Sequence, residues 1–284
     1  MKLTIHAALA AASLFALAAC NRTEAPANTA EETNVAATPA TAGAEAIDGT
    51  WKADLASVKV EQKPDAFLLK DGKYSCSTCV PKVDIAADGA FHAVSGSPYY
   101  DSASAKVVDP NTVERARKKG DKVVGESTAV VSPDGKTLTV SFKDMSVPDA
   151  PVVTGKYSET RVDAAPAGAH AISGSWQPAT FDAMSDEGIT TTFKRDGDTL
   201  NMSSPGGVSY AAKLDGTDAP IKGDTGGTVV SVERLSDTSY RETNKRAGKV
   251  VGVGTYTVGA DGKMQAVYED KERNQTTRYT MVRQ

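Results

Sequence analysis

The stretch DGKTLTVSF, residues 134–142, predicts the fold of this chain. Its apolar side chains, Leu138, Val140 and Phe142, alternate with polar ones, and a period of two over a short run is typical of a β-strand with one buried face. The Asp-Gly pair before the strand supplies the positive φ that tight hairpin turns need. Such pairs recur with Asp at positions 71, 88, 134, 196, 215 and 261. We therefore predict an antiparallel meander of strands joined by hairpins, with little helix.

The chain also repeats itself. Four short stretches return in the same order 125 to 127 positions later. They are GTW at 49–51 and GSW at 174–176, KDGK at 70–73 and RDGD at 195–198, KVVG at 122–125 and 249–252, and DGK at 134–136 and 261–263. Matching stretches that keep their order while their spacing changes by a few residues indicate duplication with loop insertions and deletions. Each unit, about 115 residues long, has the size of a single domain.

These features divide the chain into five predicted segments. They are a lipoprotein signal peptide at 1–19, a lipid-anchored flexible tether at 20–46, a first β-barrel repeat at 47–163, a linker at 164–171 and a second β-barrel repeat at 172–284. The tether has few large apolar side chains, so it cannot bury enough surface to offset the entropy of ordering.

The first twenty residues indicate export and lipid attachment. A basic start is followed by an apolar run too short to span a bilayer, which is typical of a cleaved export signal. Its end, Leu17-Ala18-Ala19-Cys20, resembles the bacterial lipoprotein lipobox. The resemblance implies that Cys20 becomes the first mature residue and carries a diacylglycerol and usually a further acyl chain such as palmitate, which together anchor durably. The alternative is an ordinary secretory signal with a chance cysteine.

The predicted location is the cell envelope. Asn21 follows the lipid site, in place of the Asp that commonly retains lipoproteins at the inner membrane. We therefore expect a protein anchored in the outer membrane and facing the periplasm.

The two tryptophan motifs suggest how each meander closes. A closed barrel removes the exposed edges of an open sheet. Gly49-Thr50-Trp51 and Gly174-Ser175-Trp176 resemble the G-x-W motif that begins the first strand of lipocalins. That resemblance implies two tandem lipocalin-like barrels, each closed at one end by its tryptophan under an arginine from the last strand. We accordingly expect the barrel-closing pairs Trp51 with Arg161 and Trp176 with Arg283. The alternative is a sandwich or open sheet with the tryptophans in its core.

The resemblance to lipocalins also implies a function. Such barrels usually bind small apolar molecules, although the aromatic content of 6% does not require a large pocket. We predict a binding module for a small apolar or amphipathic envelope molecule. The alternative is a structural lipoprotein that contacts an envelope protein and holds no small ligand. A cavity of several hundred Å³ favours the first, and a filled interior favours the second.

A basic cluster recurs at one hairpin of each unit. Because residues 112–119 and 239–246 are charged on both faces, either these strands lie at an exposed edge or they send charge into the barrel. Charge is seldom buried unless it is paired, so we expect both strands to be exposed. The predicted patch for an anionic partner comprises Arg115, Arg117, Lys118, Lys119, Arg241, Lys245 and Arg246. Lipid phosphates or an acidic protein fit it, and a solvated turn is the alternative. The formal net charge of −4 argues against nucleic acid as a partner.

Enzyme motifs are not evident. The chain has three histidines and no H-E-x-x-H, G-x-S-x-G or phosphate-binding glycine loop. We therefore predict no catalytic residues, no metal and no cofactor.

The remaining candidate is the pair Cys76 and Cys79 in YSCSTCVP, residues 74–81. Val80 after the second cysteine excludes a c-type haem motif, and no helical pattern follows for a thioredoxin-like centre. In the oxidising periplasm we predict a disulfide worth about 2 kcal/mol. A redox-active pair, and with it thiol exchange as a function, stays open, as does a metal site. At the 125-residue spacing the second unit has Asn201 and Ser204, so the pair belongs to the first unit alone.

Overall fold

The structure is a computed structural model that describes residues 46–284. The predicted signal peptide, Cys20 and all of the tether except Ala46 lie outside the described residues. In the part that is described, no helix is both long and apolar enough to cross a membrane.

Strands dominate the described residues, as the period-two runs predict. They are β1 (Gly49–Ala53), β2 (Lys59–Glu61), β3 (Asp65–Lys70), β4 (Lys73–Cys76), β5 (Val83–Ala86), β6 (His92–Ala93), β7 (Ser102–Asp109), β8 (Thr112–Lys119), β9 (Lys122–Val131), β10 (Thr137–Asp144), β11 (Val153–Asp163), β12 (Gly174–Met184), β13 (Thr190–Asp196), β14 (Thr199–Ser203), β15 (Ser209–Lys213), β16 (Ala219–Pro220), β17 (Thr228–Arg234), β18 (Ser239–Arg246), β19 (Lys249–Val258), β20 (Met264–Asp270) and β21 (Gln275–Arg283). Between them lie one 3₁₀ turn, Leu55–Ser57, and one α-helical turn, α1 (Asp186–Ile189).

The strands form two antiparallel sheets that each nearly close. The ten-stranded sheet, here the first barrel, has the order β5-β4-β3-β12-β11-β10-β9-β8-β7-β6. The eleven-stranded sheet, the second barrel, has the order β15-β14-β13-β1-β21-β20-β19-β18-β17-β16, with β2 paired to β21. Single bridges, Asp88 to Lys106 and Ser209 to Lys222, draw the edges together. The predicted all-β class with two antiparallel meander barrels is confirmed.

The first strand of each repeat lies in the barrel of the other repeat. β1 pairs with β13 and β21, whereas β12 pairs with β11 and β3. The reason is local, because β12 follows β11 after a short connection and forms the next antiparallel strand of the same meander. The free position beside β21 is then taken by β1. The barrels therefore do not coincide with segments 47–163 and 172–284, and residues 164–171 join neighbouring strands of one sheet.

The hairpin and face predictions hold inside both barrels. Asp71 and Gly72, between β3 and β4, have φ of 50° and 73°, as a tight hairpin turn requires. On β10, Leu138 and Val140 are buried, and on β20 the residues at 264, 266 and 268 are buried. Apolar and polar side chains alternate along these strands, so the face that carries the apolar side chains points into each barrel.

The two charged strands are not exposed edges. β8 pairs with β7 and β9, and β18 pairs with β17 and β19. Because Val113 on β8 is fully buried, the alternation also directs Arg115 and Arg117 into the first barrel. The prediction of exposure is therefore wrong for these two arginines, because an antiparallel meander pairs both sides of the strand and one face must point inward.

Candidate functional site

One end of the first barrel is closed by Trp176. The Trp176 ring is fully buried, and its Nε1 donates a hydrogen bond of 2.8 Å to the carbonyl of Ile172. Above the ring lies Arg161, whose Cζ is 3.9 Å from the ring centroid. The guanidinium also donates to the carbonyls of Ser173 at 2.7 Å and Ala171 at 2.6 Å. Arg161 therefore ties the last strand of the first unit to the segment that leads into β12.

The second barrel repeats this arrangement. Trp51 Nε1 donates to the Ile47 carbonyl at 2.8 Å, and Arg283 Cζ lies 4.2 Å from the Trp51 ring centroid. Arg283 also donates to the carbonyl of Ala46 at 2.7 Å. The four barrel-closing residues are thus brought into pairs, but the predicted partners, Trp51 with Arg161 and Trp176 with Arg283, are wrong. Exchange of β1 and β12 between the barrels is the cause.

The opposite end of the first barrel holds a cavity of about 160 Å³. Aromatic and aliphatic side chains form much of its wall, and two arginines enter it from β8. The lining includes Phe67, Tyr74, Val83, Arg115, Arg117, Phe142 and Tyr157. The corresponding cavity in the second barrel measures about 40 Å³. The first barrel is therefore hollow where the second is nearly filled.

Strand register explains this difference. Phe67 and Phe193 occupy equivalent positions, because they pair with Gly174 and Gly49 of the two G-x-W motifs. Counting across the next two strands from these positions makes Val83 equivalent to Tyr210. The smaller side chain leaves space that the tyrosine occupies in the second barrel.

The KVVG repeat identifies further equivalent positions. Its glycines, Gly125 and Gly252, pair with Arg117 and Asn244. Further along the same strands, Arg115 is equivalent to Glu242, Val113 to Tyr240, and Ala129 to Tyr256. Three tyrosines of the second barrel thus replace two valines and an alanine of the first.

The tyrosines of the second barrel surround a carboxyl group. The hydroxyls of Tyr210 and Tyr256 donate to the two oxygens of Glu242, the latter at 3.4 Å. Burial raises the pKa of Glu242 to about 7, although both hydroxyl hydrogen bonds favour the charged form. This network fills the second barrel at the height at which Arg115 enters the first.

Equivalent loops lie at the two mouths. Residues 145–152, between β10 and β11, cover the second barrel, whose core includes Val153. A Cβ at Gly207 would lie 2.6 Å from the Cβ of Ala150 in this loop, so the glycine permits the close approach. The counterpart between β20 and β21, residues 271–274, is half as long and meets the mouth of the first barrel through Glu272 and Arg273. The longer loop covers the filled barrel.

The two arginines inside the first barrel have no acidic partner. Arg115 Nη1 donates to the Tyr74 hydroxyl at 3.2 Å, and its Cζ lies 5.6 Å from the centroid of Phe67. Arg117 Cζ lies 5.0 Å from the centroid of Tyr100. Among residues 46–284, no carboxylate lies within ion-pair distance of either guanidinium. The cavity therefore presents positive charge beside apolar surface.

The rest of the predicted basic patch is dispersed. Lys118 Nζ lies 4.2 Å from the Phe91 ring centroid, and Lys119 donates to the carbonyl of Pro98. In the second unit Arg241 pairs with Glu233 and Lys245 pairs with Asp218 at 2.6 Å, while Arg246 pairs with Glu272 at 3.5 Å. The seven residues do not form one surface, because neighbours along a strand point to opposite faces.

Two further acids lie near the arginines. Glu159 is 1% exposed, and its Oε2 has no hydrogen-bond partner. Burial raises the pKa of Glu159 to about 8, and nearby Asp65 acts in the same direction. Burial likewise raises the pKa of Asp65. The charge of Arg115 acts in the opposite direction and favours the ionised carboxylate, but the pKa of Glu159 stays raised overall.

Cys76 and Cys79 lie at disulfide distance, with sulfurs 1.98 Å apart and Cα atoms 5.4 Å apart. Their loop borders the mouth of the first barrel, where Cys79 and Val80 line the cavity. Register makes Met202, not Asn201, the counterpart of Cys76, since both pair with the equivalent phenylalanines. The pair is still specific to the first unit.

The two histidines within residues 46–284 do not assemble a metal site. His92 Nε2 lies 2.8 Å from Asp88 Oδ1, and His170 Nε2 lies 2.7 Å from the carbonyl oxygen of Asp109. Throughout residues 46–284, no three side chains of His, Cys, Asp or Glu are grouped to hold a metal ion.

The apolar residues that line the cavity are not among the site residues predicted from the sequence. The sequence does contain a signal for the cavity, because equivalent positions of the two barrels differ in side-chain size, as Val83 and Tyr210 do. Using that signal requires the strand register, because the spacing between equivalent residues changes along the repeats.

Comparisons with models of known protein families, with curated proteins and with solved structures find no match.

Proposed function

We propose that this protein is a lipid-anchored envelope protein whose first barrel binds a small amphipathic molecule. The cavity of about 160 Å³ is the observation that carries the proposal, because its equivalent in the second barrel is only about 40 Å³. A duplicated fold without a ligand has no need to keep one copy hollow, since unfilled space costs packing energy. Apolar walls with a few polar groups are typical of sites that bind small molecules.

The second barrel has a different role in this proposal. Its interior is occupied by tyrosines around Glu242, and its mouth is covered by residues 145–152. It supports the first barrel by contributing Arg273 to its mouth. The alternative function, an interaction lipoprotein without a small ligand, is favoured by this filled interior.

The decisive experiment is native mass spectrometry of the full chain purified from its envelope in mild detergent. Val83→Tyr places the side chain of Tyr210 at the equivalent position of the first barrel and should fill the cavity. Val130→Tyr is the matched control, because it adds the same ring to a residue that is 41% exposed on the outside. We expect the unsubstituted chain and Val130→Tyr to release a small molecule on denaturation, and Val83→Tyr to release none.

Two results would contradict the binding proposal. One is an unsubstituted chain that carries no small molecule. The other is a molecule retained equally by Val83→Tyr, which would place it outside the cavity.

Membrane anchoring through Cys20 is part of the same proposal and rests on the lipobox resemblance. Growth with an alkyne-tagged fatty acid should label the chain, and Cys20→Ser should abolish the label. Label retained in Cys20→Ser would exclude this attachment site. Separation of inner from outer membranes then tests the proposed outer-membrane location.

A further inference from the structure

We infer that the first barrel selects a small organic acid, with its anionic group held by Arg115 and Arg117 and its apolar body against the aromatic wall. This inference rests on the proposed binding function and specifies its ligand class. A binding module for neutral apolar molecules would not need two cations inside its cavity.

The cationic character comes from three converging side chains. Arg115 and Arg117 enter from β8, and Arg273 reaches the same cavity from the second unit. Burial lowers the pKa of Arg117, and the charges of Arg115 and Arg273 act in the same direction. Like charges brought together in a partly buried space favour a bound anion that offsets their repulsion.

The hydrogen-bonding capacity of Arg115 is not used up. Arg115 Nε is buried and has no hydrogen-bond partner, and its Nη1 donates to a neutral hydroxyl, that of Tyr74. An unsatisfied buried N–H group is costly, and a carboxylate is the acceptor that a guanidinium fits best. Arg115 Nε is thus an unused donor on a side chain that lines the cavity.

Neighbouring acids do not supply that anion. At the mouth, Arg273 bonds to Asp270 at 3.4 Å, and Glu272 is engaged with Arg246 at 3.5 Å. Asp144 also reaches the mouth, where its Oδ1 accepts from the backbone of Ser146 at 2.8 Å. Glu126, which also lines the cavity, pairs with Lys143 at 3.3 Å. None of these carboxylates lies within ion-pair distance of Arg115 or Arg117, so both guanidinium groups remain available to a ligand.

Cavity size limits the apolar body. An engineered cavity of about 150 Å³ in another protein holds benzene. The cavity of about 160 Å³ therefore accommodates a ring or a short branched chain, whereas a long acyl chain would have to leave through the mouth. Phe67, Phe142 and Tyr157 supply the surrounding surface.

Isothermal titration calorimetry on the full chain in detergent tests the inference with three probes. Benzoate combines the carboxylate with a ring, benzamide keeps the shape without the charge, and inorganic phosphate has charge without a ring. We expect benzoate to bind at least tenfold more tightly than benzamide and phosphate. Equal binding of benzoate and benzamide would overturn the inference.

Variants locate the anion. Arg117→Gln should weaken benzoate binding at least tenfold, while Arg117→Lys should retain part of the affinity because it keeps the charge but loses the planar donor pair. Arg241→Gln is the matched control on the outside of the second barrel and should bind as the unsubstituted chain does. Unchanged binding by a folded Arg117→Gln, checked by circular dichroism, would overturn the assignment of the arginines.

The two proposals can fail separately. If the chain releases a neutral molecule that Val83→Tyr lacks, and benzoate does not bind, the binding function stands and the preference for acids is wrong. If no molecule is released and no probe binds, both are wrong.

Discussion

Arg161 stacks on Trp176, 3.9 Å from its ring centroid, although Trp176 opens the second repeat and Arg161 ends the first. The same relationship holds between Arg283 and Trp51. Each closure therefore joins an arginine to the tryptophan of the other unit. As a result, neither repeat contains all the strands of a barrel, and this has consequences for how the chain can be divided.

A fragment cut at the repeat boundary should not fold. Residues 47–163 lack β12, which leaves β3 and β11 unpaired on one side and Arg161 without its ring. Residues 62–185 hold β3 to β12 and should form the first barrel. Circular dichroism in a urea titration should show a cooperative transition for 62–185 and none for 47–163. Cooperative unfolding of monomeric 47–163 would mean that the strand exchange is not required.

Removing an arginine that closes a barrel should destabilise the protein. Arg161→Ala loses the stacking on Trp176 and the hydrogen bonds to four backbone carbonyls. We expect a loss of about 2 to 3 kcal/mol in the free energy of unfolding. Arg241→Ala, which breaks an exposed pair with Glu233, should cost less than about 1 kcal/mol. Urea unfolding measures both, and equal losses would contradict a structural role for Arg161.

The buried carboxyl of the second barrel should make stability depend on pH. Burial raises the pKa of Glu242 from 4.5 to about 7, so the folded state binds this proton more tightly than the unfolded chain does. Stability from this group is complete below pH 4.5 and is lost as the pH rises towards 7.

Glu242→Gln should remove that dependence, because the amide keeps an acceptor for Tyr210 but cannot ionise. Compared with the unsubstituted chain, the variant should gain on the order of 2 to 3 kcal/mol between pH 4.5 and 8. Urea midpoints at the two pH values measure the gain. A constant difference between the two proteins would show that Glu242 does not titrate in this range.

The disulfide between Cys76 and Cys79 should make a small contribution to the free energy of unfolding. Its closed loop is short, so replacing Cys76 and Cys79 by serine should lower stability by about 2 kcal/mol. A reducing agent should shift the unfolding midpoint of the unsubstituted chain by a similar amount and leave the double variant unchanged. No response of the unsubstituted chain to reduction would indicate free thiols.

The strand pattern was predictable because it is local. Alternation at 137–142 and the Asp-Gly turns depend on neighbouring residues, and duplication is visible from ordered anchors such as KVVG. The cavity was not predictable in the same way. Val83 and Tyr210 can be recognised as equivalent only after two strands have been placed in register. Only that equivalence shows that the first barrel has space where the second has a tyrosine ring. Arg115 and Arg117 were identified, but their inward orientation requires both neighbours of β8.

The all-β class, the two repeated units and the residues that close the barrels follow from the amino-acid sequence alone. Which tryptophan each arginine covers, and which barrel is hollow, depends on how the strands assemble in space. Strand propensity and turn chemistry depend on a few neighbouring residues, so short stretches of the sequence are enough to predict the strands and turns. Partner choice between Trp51 and Trp176 depends on a competition between two equivalent strands for the same sheet position. The strand that follows directly on β11 takes the position in the first barrel, because joining its neighbour closes the shortest loop.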